Sequence, residues 1–504
     1  MNERLRAVCD LMVPQAREMS GLHEYDGRVQ DLSPDGVRAA LAALERARGT
    51  GPLRDAHDEA HLAVFERALR VQYGDLELHR RSPYPHLSNL ELATYDREYA
   101  PAKERERARR RHLARWPDAV DAALASLDLV PAPVAGALLG AVRGLTEGVD
   151  PESGAEAAAA LRAHARLTTH LERTAAHGDP DPRLGGPALA ALMGSQEGLE
   201  VDLARLASEA ARERARLEEM LARACAELDA RRSVASLIPE LLADHPAADE
   251  VVPEAARLTE EVIAFTRDLG LAPHTDGECA VGPAPASRSW AMAMMTWAAP
   301  GERDAPSWYH VTPPDPSWPE EEQEEWLTVF SRTSLPAITV HEVAPGHFAH
   351  GRALRRAAGP VRRLLHGLSF TEGWAHYAEE VCLEEGFRAD DPRFAVGVAL
   401  EALVRVTRLS CAIGLHTGAL TLDDATELFV RDAHLSPAAA ASEARRGTFD
   451  AAYGRYTWGK LEILRLRERA RAQWGSGFTL KRFHAALLEL GSPPLGLLDA
   501  ALAG

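Results

Sequence analysis

His341-Glu342-Val343-Ala344-Pro345-Gly346-His347 is the stretch on which the reading of this chain turns. It sets two imidazoles beside a carboxylate, the side chains needed to hold a zinc ion and activate a bound water. The usual spacing is H-E-x-x-H, with both histidines on one helical face. Here they stand six apart, which at about 100° per residue leaves them roughly 120° out of line. Pro345 lacks an N–H, and its ring clashes with the carbonyl four residues back, that of His341. Gly346 admits backbone angles closed to other residues. The spacing therefore predicts a helix that starts at Ser334-Leu335-Pro336, carries Ile338 and Val343, and breaks or bulges between the histidines. A wide bulge would return His347 to the face of His341. The plainer alternative is a structural helix that ends at Ala344, with His347 opening another.

A second segment bears on that choice. Ser369-Phe370-Thr371-Glu372-Gly373-Trp374-Ala375-His376-Tyr377-Ala378-Glu379-Glu380 begins shortly after the motif. Glu372, His376 and Glu379 recur at i, i+4 and i+7, one stripe of a helix. The stripe is polar where a core-facing helix would be apolar. An acid near a helix start is commonplace because the dipole favours it, but the conjunction with the histidine motif makes the stripe a source for a third ligand.

Working outward, most of the chain reads as helix. Amphipathic spacing marks Pro34 to Arg48, Ala56 to Tyr73, Glu104 to Leu127, Ser195 to Arg231 and Pro253 to Leu269. Ser33 before Pro34 is a cap followed by proline at the first helical position. Ala176 to Gly186 is a loop between two helical blocks. From about Leu271 the texture changes. Asp276 to Ser287 is loop-like, and Ser289 to Ala298 and Ser307 to Thr312 are strand candidates joined by Pro300 to Pro306, a hairpin. Helices resume at Ser317 and cover Phe370 to Glu385, Asp391 to Leu415, Thr421 to Leu435, Ser442 to Trp474 with an interruption, and Leu480 to Leu490. The expected fold is mainly α: a large multi-helix body with a deep central cleft and a small β-hairpin or short sheet near the metal site. Residues 1–270 form an N-terminal helical region and 271–504 a metal-site region, integrated as one domain.

Bulk properties exclude several classes. A length of 504 residues with 46% apolar content supports a large core, and a net charge of −18 argues against a nucleic-acid surface. The basic run Lys103 to Arg115 interleaves Glu104 and Glu106, as on a solvated helix face. The five cysteines are scattered and lack C-x-x-C spacing, which argues against a disulfide framework and fits a reducing cytosol. No apolar segment follows the charged start, and Leu129 to Val142 is too short to span a bilayer. A cytoplasmic protein without nucleic-acid or membrane partners is expected.

The two motifs, with Tyr456-Thr457-Trp458-Gly459 and Phe483-His484 through Pro493-Pro494-Leu495, resemble the family called domain of unknown function 885. That family carries H-E-x-x-P-G-H and T-E-G-W-A in this order. Its members look like thermostable metallocarboxypeptidases and the wider gluzincin peptidases, mostly helical with a deep cleft. The resemblance implies one zinc ion held by His341, His347 and Glu372, with Glu342 as general base. It runs from about Trp308 to the C-terminus. Phe348, Ala349 and His350 replace the usual His-x-Gln, His376 replaces a leucine, and Asp450-Ala451-Ala452-Tyr453 replaces Pro-Gly-Gln-Ala. His350 and His376 are thus partners of the ligands, alternative ligands or ordinary polar residues, and Glu379 is a ligand partner. Tyr456, with Tyr453 as rival, is the candidate donor to an oxyanion. Arg445 is the candidate for a substrate carboxylate, with Arg446 and Arg408 competing. The expected function is a zinc metallopeptidase-like hydrolase acting on short peptides or small amides, the carboxypeptidase likeness pointing to the C-terminal end. The alternatives are a zinc enzyme for a non-peptide small molecule and a non-catalytic protein that keeps the pocket.

Overall fold

A computed structural model describes residues 1–503 except 286, 287, 289, 290, 303 and 304. The chain is 68% helix and 3% strand. The helices that build the site are numbered here: α1 (Ser334–Glu342), α2 (His347–Leu354), α3 (Leu368–Glu384), α4 (Pro392–Thr417), α5 (Pro437–Phe449) and α6 (Arg455–Trp474). One apolar core runs from Leu189 to Leu502 and takes in all of them except α5. It also includes the helices Leu203–Asp229 and Val251–Leu269, whose leucines and valines point inward at helical spacing. Separate clusters lie under residues 87–171 and under the first 73 residues, the latter joined by Val361 and Leu365.

The strand expectation is met in type and extended in number. β1 (Cys279–Gly282), β2 (Ala293–Thr296) and β3 (Ser307–Val311) form one sheet in the order β1-β3-β2. β2 and β3 are antiparallel, the expected hairpin. β1 pairs parallel with β3 and falls inside Asp276 to Ser287, read from sequence as loop. At four residues, with glycine at its end, it is too short to show a period. Ser289 and Trp290, placed at the start of the first strand candidate, lie outside the described residues. β3 seats Tyr309 in the core, where its hydroxyl lies 3.2 Å from Thr339 Oγ1 of α1.

Several helix boundaries move for local reasons. Glu104 to Leu127 is two helices, Ala102–Leu113 and Trp116–Ser126, with Pro117 in the first turn of the second. The helix read from Ser195 begins at Leu203, because Gly198 at φ +65° ends the preceding helix in the left-handed region. After Leu69 the backbone widens into a π-turn through Asp75.

The halves of the chain are tied by polar contacts. Arg362 donates to Asp58 and Asp55. Trp297 Nε1 donates to the Met19 carbonyl, and buried Glu302 pairs with Arg97. Among the described residues, no helix is long and apolar enough to cross a membrane.

Candidate metal centre

The backbone between the histidines breaks outright. α1 ends at Glu342, Val343 leaves helical angles, and α2 starts at His347 with Gly346 as its N-cap. The bulge that would have kept one continuous helix does not form; two helices meet at a corner. A Cβ on Gly346 would collide with the carbonyls of His341 and Val340, so only glycine allows so tight a corner. Trp374 Nε1 of α3 donates to the Pro345 carbonyl at 2.8 Å and fastens the corner to the helix that carries Glu372. α3 in turn packs backbone to backbone on α6, since a Cβ on Gly373 would meet the main chain of Gly459. Two glycines one residue and three residues from Glu372 and Tyr456 thus bring those side chains to the corner.

The side chains converge there. The His341 and His347 rings stand edge to face with centroids 4.8 Å apart. Glu372 Oε2 lies 3.6 Å from His341 Nε2 and 3.5 Å from His347 Nε2. Ligand atoms of His341, His347 and Glu342 all lie within 4.8 Å of one another. The 3.5 and 3.6 Å separations are long for an ionic hydrogen bond, which draws in to about 2.7–2.9 Å. They come close to the roughly 3.3 Å between corners of a tetrahedron whose centre lies about 2.0–2.1 Å from each ligand atom. The donor set, two imidazoles and a carboxylate, is one that zinc accepts. Glu372 keeps 22% of its side chain exposed, so the cluster opens to solvent.

Behind His341 stands a chain of charges. Its Nδ1–H donates to Glu379 Oε1 at 2.6 Å, which leaves Nε2 facing Glu372. Arg405 of α4 donates to Glu379 Oε2 at 3.0 Å and lies 3.2 Å from Glu401. This is the imidazole–carboxylate pairing that fixes tautomer and ring orientation in metal sites. Burial pulls the His341 imidazole down and Arg405 adds to that, but Glu372 and Glu379 outweigh both and raise it to about 9. Burial pushes the Glu372 carboxyl up, yet the two imidazoles hold it well below its ordinary range. Glu379 is held low against burial chiefly by Arg405.

The remaining predicted residues divide. Tyr456 is at the site, its ring 6.5 Å from that of His341. His376 is buried with Nδ1 3.6 Å from Glu379, and burial followed by the Lys460 charge pushes its imidazole down to about 3. Its carboxylate neighbour is Glu379, whereas Glu372 meets His341 and His347. His350 turns away: its Nε2 lies 3.0 Å from Ser492 Oγ and 3.2 Å from the Gly491 carbonyl. Tyr453 is fully buried against Cys411 and Phe429 in a separate small core, and Arg445 is exposed. Neither is brought to the cluster. Arg446 and Arg408, the competing arginines, both lie beside Tyr456. Arg405 was not anticipated, although an arginine among Leu403, Val404 and Val406 is a visible signal. Trp297, whose ring lies 6.2 Å from that of His347, was not anticipated either.

The chain belongs to the family described as "Bacterial protein of unknown function (DUF885)", which matches residues 14–502. The match therefore includes the N-terminal half, where no motif was legible. Its fold is similar to a solved structure described as "a putative lipoprotein of unknown function from Shewanella oneidensis", with 20% identity, TM-score 0.75, and coverage of 95% of this chain and 94% of that one. It is likewise similar to "the putative lipoprotein from Colwellia psychrerythraea", at 17% identity and TM-score 0.77, over 100% of this chain and 99% of that one. No curated protein matches the chain.

Proposed function

We propose that this protein is a zinc-dependent, metallopeptidase-like hydrolase that cleaves amide bonds of short peptides at their C-terminal end. The observation that carries the reading is the convergence of His341 Nε2, His347 Nε2 and Glu372 Oε2, with Glu379 backing His341. Those three side chains would hold the ion. When bound, it would supply Lewis acidity and a water acidic enough to deprotonate near neutral pH. Glu342 has a carboxylate oxygen among the same atoms, and its part is to accept a proton and deliver it to the departing amine. Tyr456 offers a phenol O–H beside His341 for charge that develops on the carbonyl oxygen. β2 lies at the sheet edge and packs against α1, a place where an extended peptide can add as a strand. The five cysteines are unpaired, in keeping with a reducing compartment.

The test is metal analysis joined to one variant. Protein stripped of metal and reloaded with zinc should retain about one equivalent and cleave members of a peptide library. Glu342→Gln should retain the zinc and lose at least about a hundredfold in turnover. Wild-type protein that takes up no zinc sinks the proposal. A variant as fast as wild type removes Glu342 from the role of base. Zinc uptake with no peptide cleaved shifts the reading to a non-peptide amide or to a silent binding protein.

A further inference from the structure

Tyr456 is bordered by arginines that are unequally matched. The Arg408 guanidinium lies over its ring, 5.2 Å from the centroid, and is taken up by Glu443 through bonds of 2.7 and 2.6 Å. Arg455 is taken up by Asp450. Arg446 makes one carboxylate bond, of 3.3 Å to that same Asp450, bonds the Tyr456 phenol and lies 5.8 Å from the centre of the Tyr453 ring, which leaves part of its five-donor fork unused, and its side chain stays 32% exposed. Three guanidinium groups share two carboxylates. Arg446 is the one with donors to spare, in a chain whose net charge is −18. A surplus of that kind, one side chain away from a candidate metal centre, suits an anionic part of a substrate.

A second observation stands beside it. Tyr84, from the short helix Tyr84–Leu90 of the N-terminal half, is 55% exposed, which is rare here for a large apolar side chain. It stacks on Phe449 with ring centroids 6.0 Å apart, and its phenol feels the charges of Asp450, Arg455 and Arg446. Phe449 follows Arg446 by three residues on α5, so the two side chains are neighbours on that helix. An aromatic surface open to solvent beside an incompletely used guanidinium matches a terminal amino-acid residue with a free carboxylate and an apolar side chain.

We propose that Arg446 receives the C-terminal carboxylate of the substrate, and that Tyr84 and Phe449 take an aromatic or large apolar side chain on its last residue. This rests on the hydrolase reading and narrows its substrate class to peptides that end in such a residue with a free carboxylate. Arg446 thereby replaces the exposed Arg445 as the anion-binding group.

The probes are L-phenylalanine and L-phenylalaninamide, titrated calorimetrically into the zinc-loaded full-length protein. Wild type should bind the acid about tenfold or more tighter than the amide, the scale of a charge-assisted contact. Arg446→Gln should erase that difference and Arg446→Lys should keep part of it. Tyr84→Ala should weaken L-phenylalanine several-fold and leave L-alanine unchanged. Equal binding of acid and amide by wild type, or binding of neither, overturns the proposal. So does a preference that survives in Arg446→Gln, the result expected if the carboxylate sits at the metal. Thermal melts of each variant identify any that do not fold, and the wild-type comparison decides the matter without them. Zinc content and peptide cleavage are read on the same preparations. A zinc-free, inactive wild type therefore counts against the hydrolase reading, whereas a zinc-loaded, peptide-cleaving protein that ignores the carboxylate counts against this inference alone.

Discussion

His341 and His112 are both buried histidines, 4% and 0% exposed, and their surroundings make them opposites. His112, in the N-terminal half, lies between the Tyr95 hydroxyl at 3.1 Å and the Asn89 carbonyl at 2.9 Å. Burial, with the Arg17 charge adding to it, pushes its imidazole down to about 3. His341 faces two carboxylates and is raised to about 9. The first environment stabilises a neutral ring that serves packing. The second concentrates negative charge around a ring nitrogen, which favours a cation, whether a proton or a metal ion. Burial alone does not separate a ligand from a core residue; the chemical identity of the partners does.

The largest test of that contrast is removal of a proposed ligand. His347→Ala should weaken zinc binding well beyond the roughly 10–100-fold expected for loss of an outer partner, whereas His112→Ala should leave zinc affinity unchanged and lower the melting temperature. Competition with a chromogenic chelator reads the first effect and calorimetry the second. Equal zinc affinity in both variants would break the comparison.

Glu379→Gln comes next. The amide still accepts a hydrogen bond from His341 Nδ1, but the charge that Arg405 and His341 share is gone. Zinc affinity should fall about 10–100-fold. Arg405 then keeps Glu401 as its one carboxylate partner, so a loss of stability should accompany it. Affinity equal to wild type would mean that Glu379 serves packing only.

Acid sharpens the contrast through its sign. His112 has a folded value near 3 against an ordinary 6.5, so the unfolded chain binds a proton that the folded chain refuses. Its contribution is whole above pH 6.5 and is lost as the pH falls, by about 2 kcal/mol at pH 5. His86, lowered to about 4 mainly by burial, acts in the same direction. In metal-free protein His341 has the reverse sign: its contribution is full below pH 6.5 and is lost as the pH rises through 9. Urea midpoints at pH 7 and pH 5 should show a smaller drop for His112→Gln than for wild type. An equal drop removes His112 from the argument.

How far the sequence reached follows from the same physics. Long amphipathic helices were legible because burial imposes a period, and the hairpin because turn residues separate its strands. β1 was missed because four residues carry no period. The break at Pro345-Gly346 was legible as a necessity, but its form was not. Whether a helix bulges or turns a corner depends on what fastens the corner, here Trp374 from another helix. The i, i+4, i+7 stripe pointed to Glu372 and Glu379 because helical spacing is local. That Arg446 and not Arg445 lies beside Tyr456 depends on how α5 is rotated, which neighbouring helices decide. Arg405 reaches Glu379 across a helix–helix contact, so its partner cannot be read from either segment alone.

The smallest effect worth measuring lies at that fastening. Trp374→Phe keeps the ring packed in the core and deletes the bond to the Pro345 carbonyl. Loss of one hydrogen bond with its acceptor left buried should cost about 1–3 kcal/mol. His341 and His347 sit on opposite sides of that corner, so a small shift should appear as weaker zinc binding, several-fold at most, along with a lower melting temperature. The equivalent change at His112 touches no such hinge and should lower stability without any change in zinc affinity. If Trp374→Phe melts lower but binds zinc as wild type does, the corner holds its shape through Pro345 and Gly346 alone, and α3 contributes Glu372 without positioning the histidines.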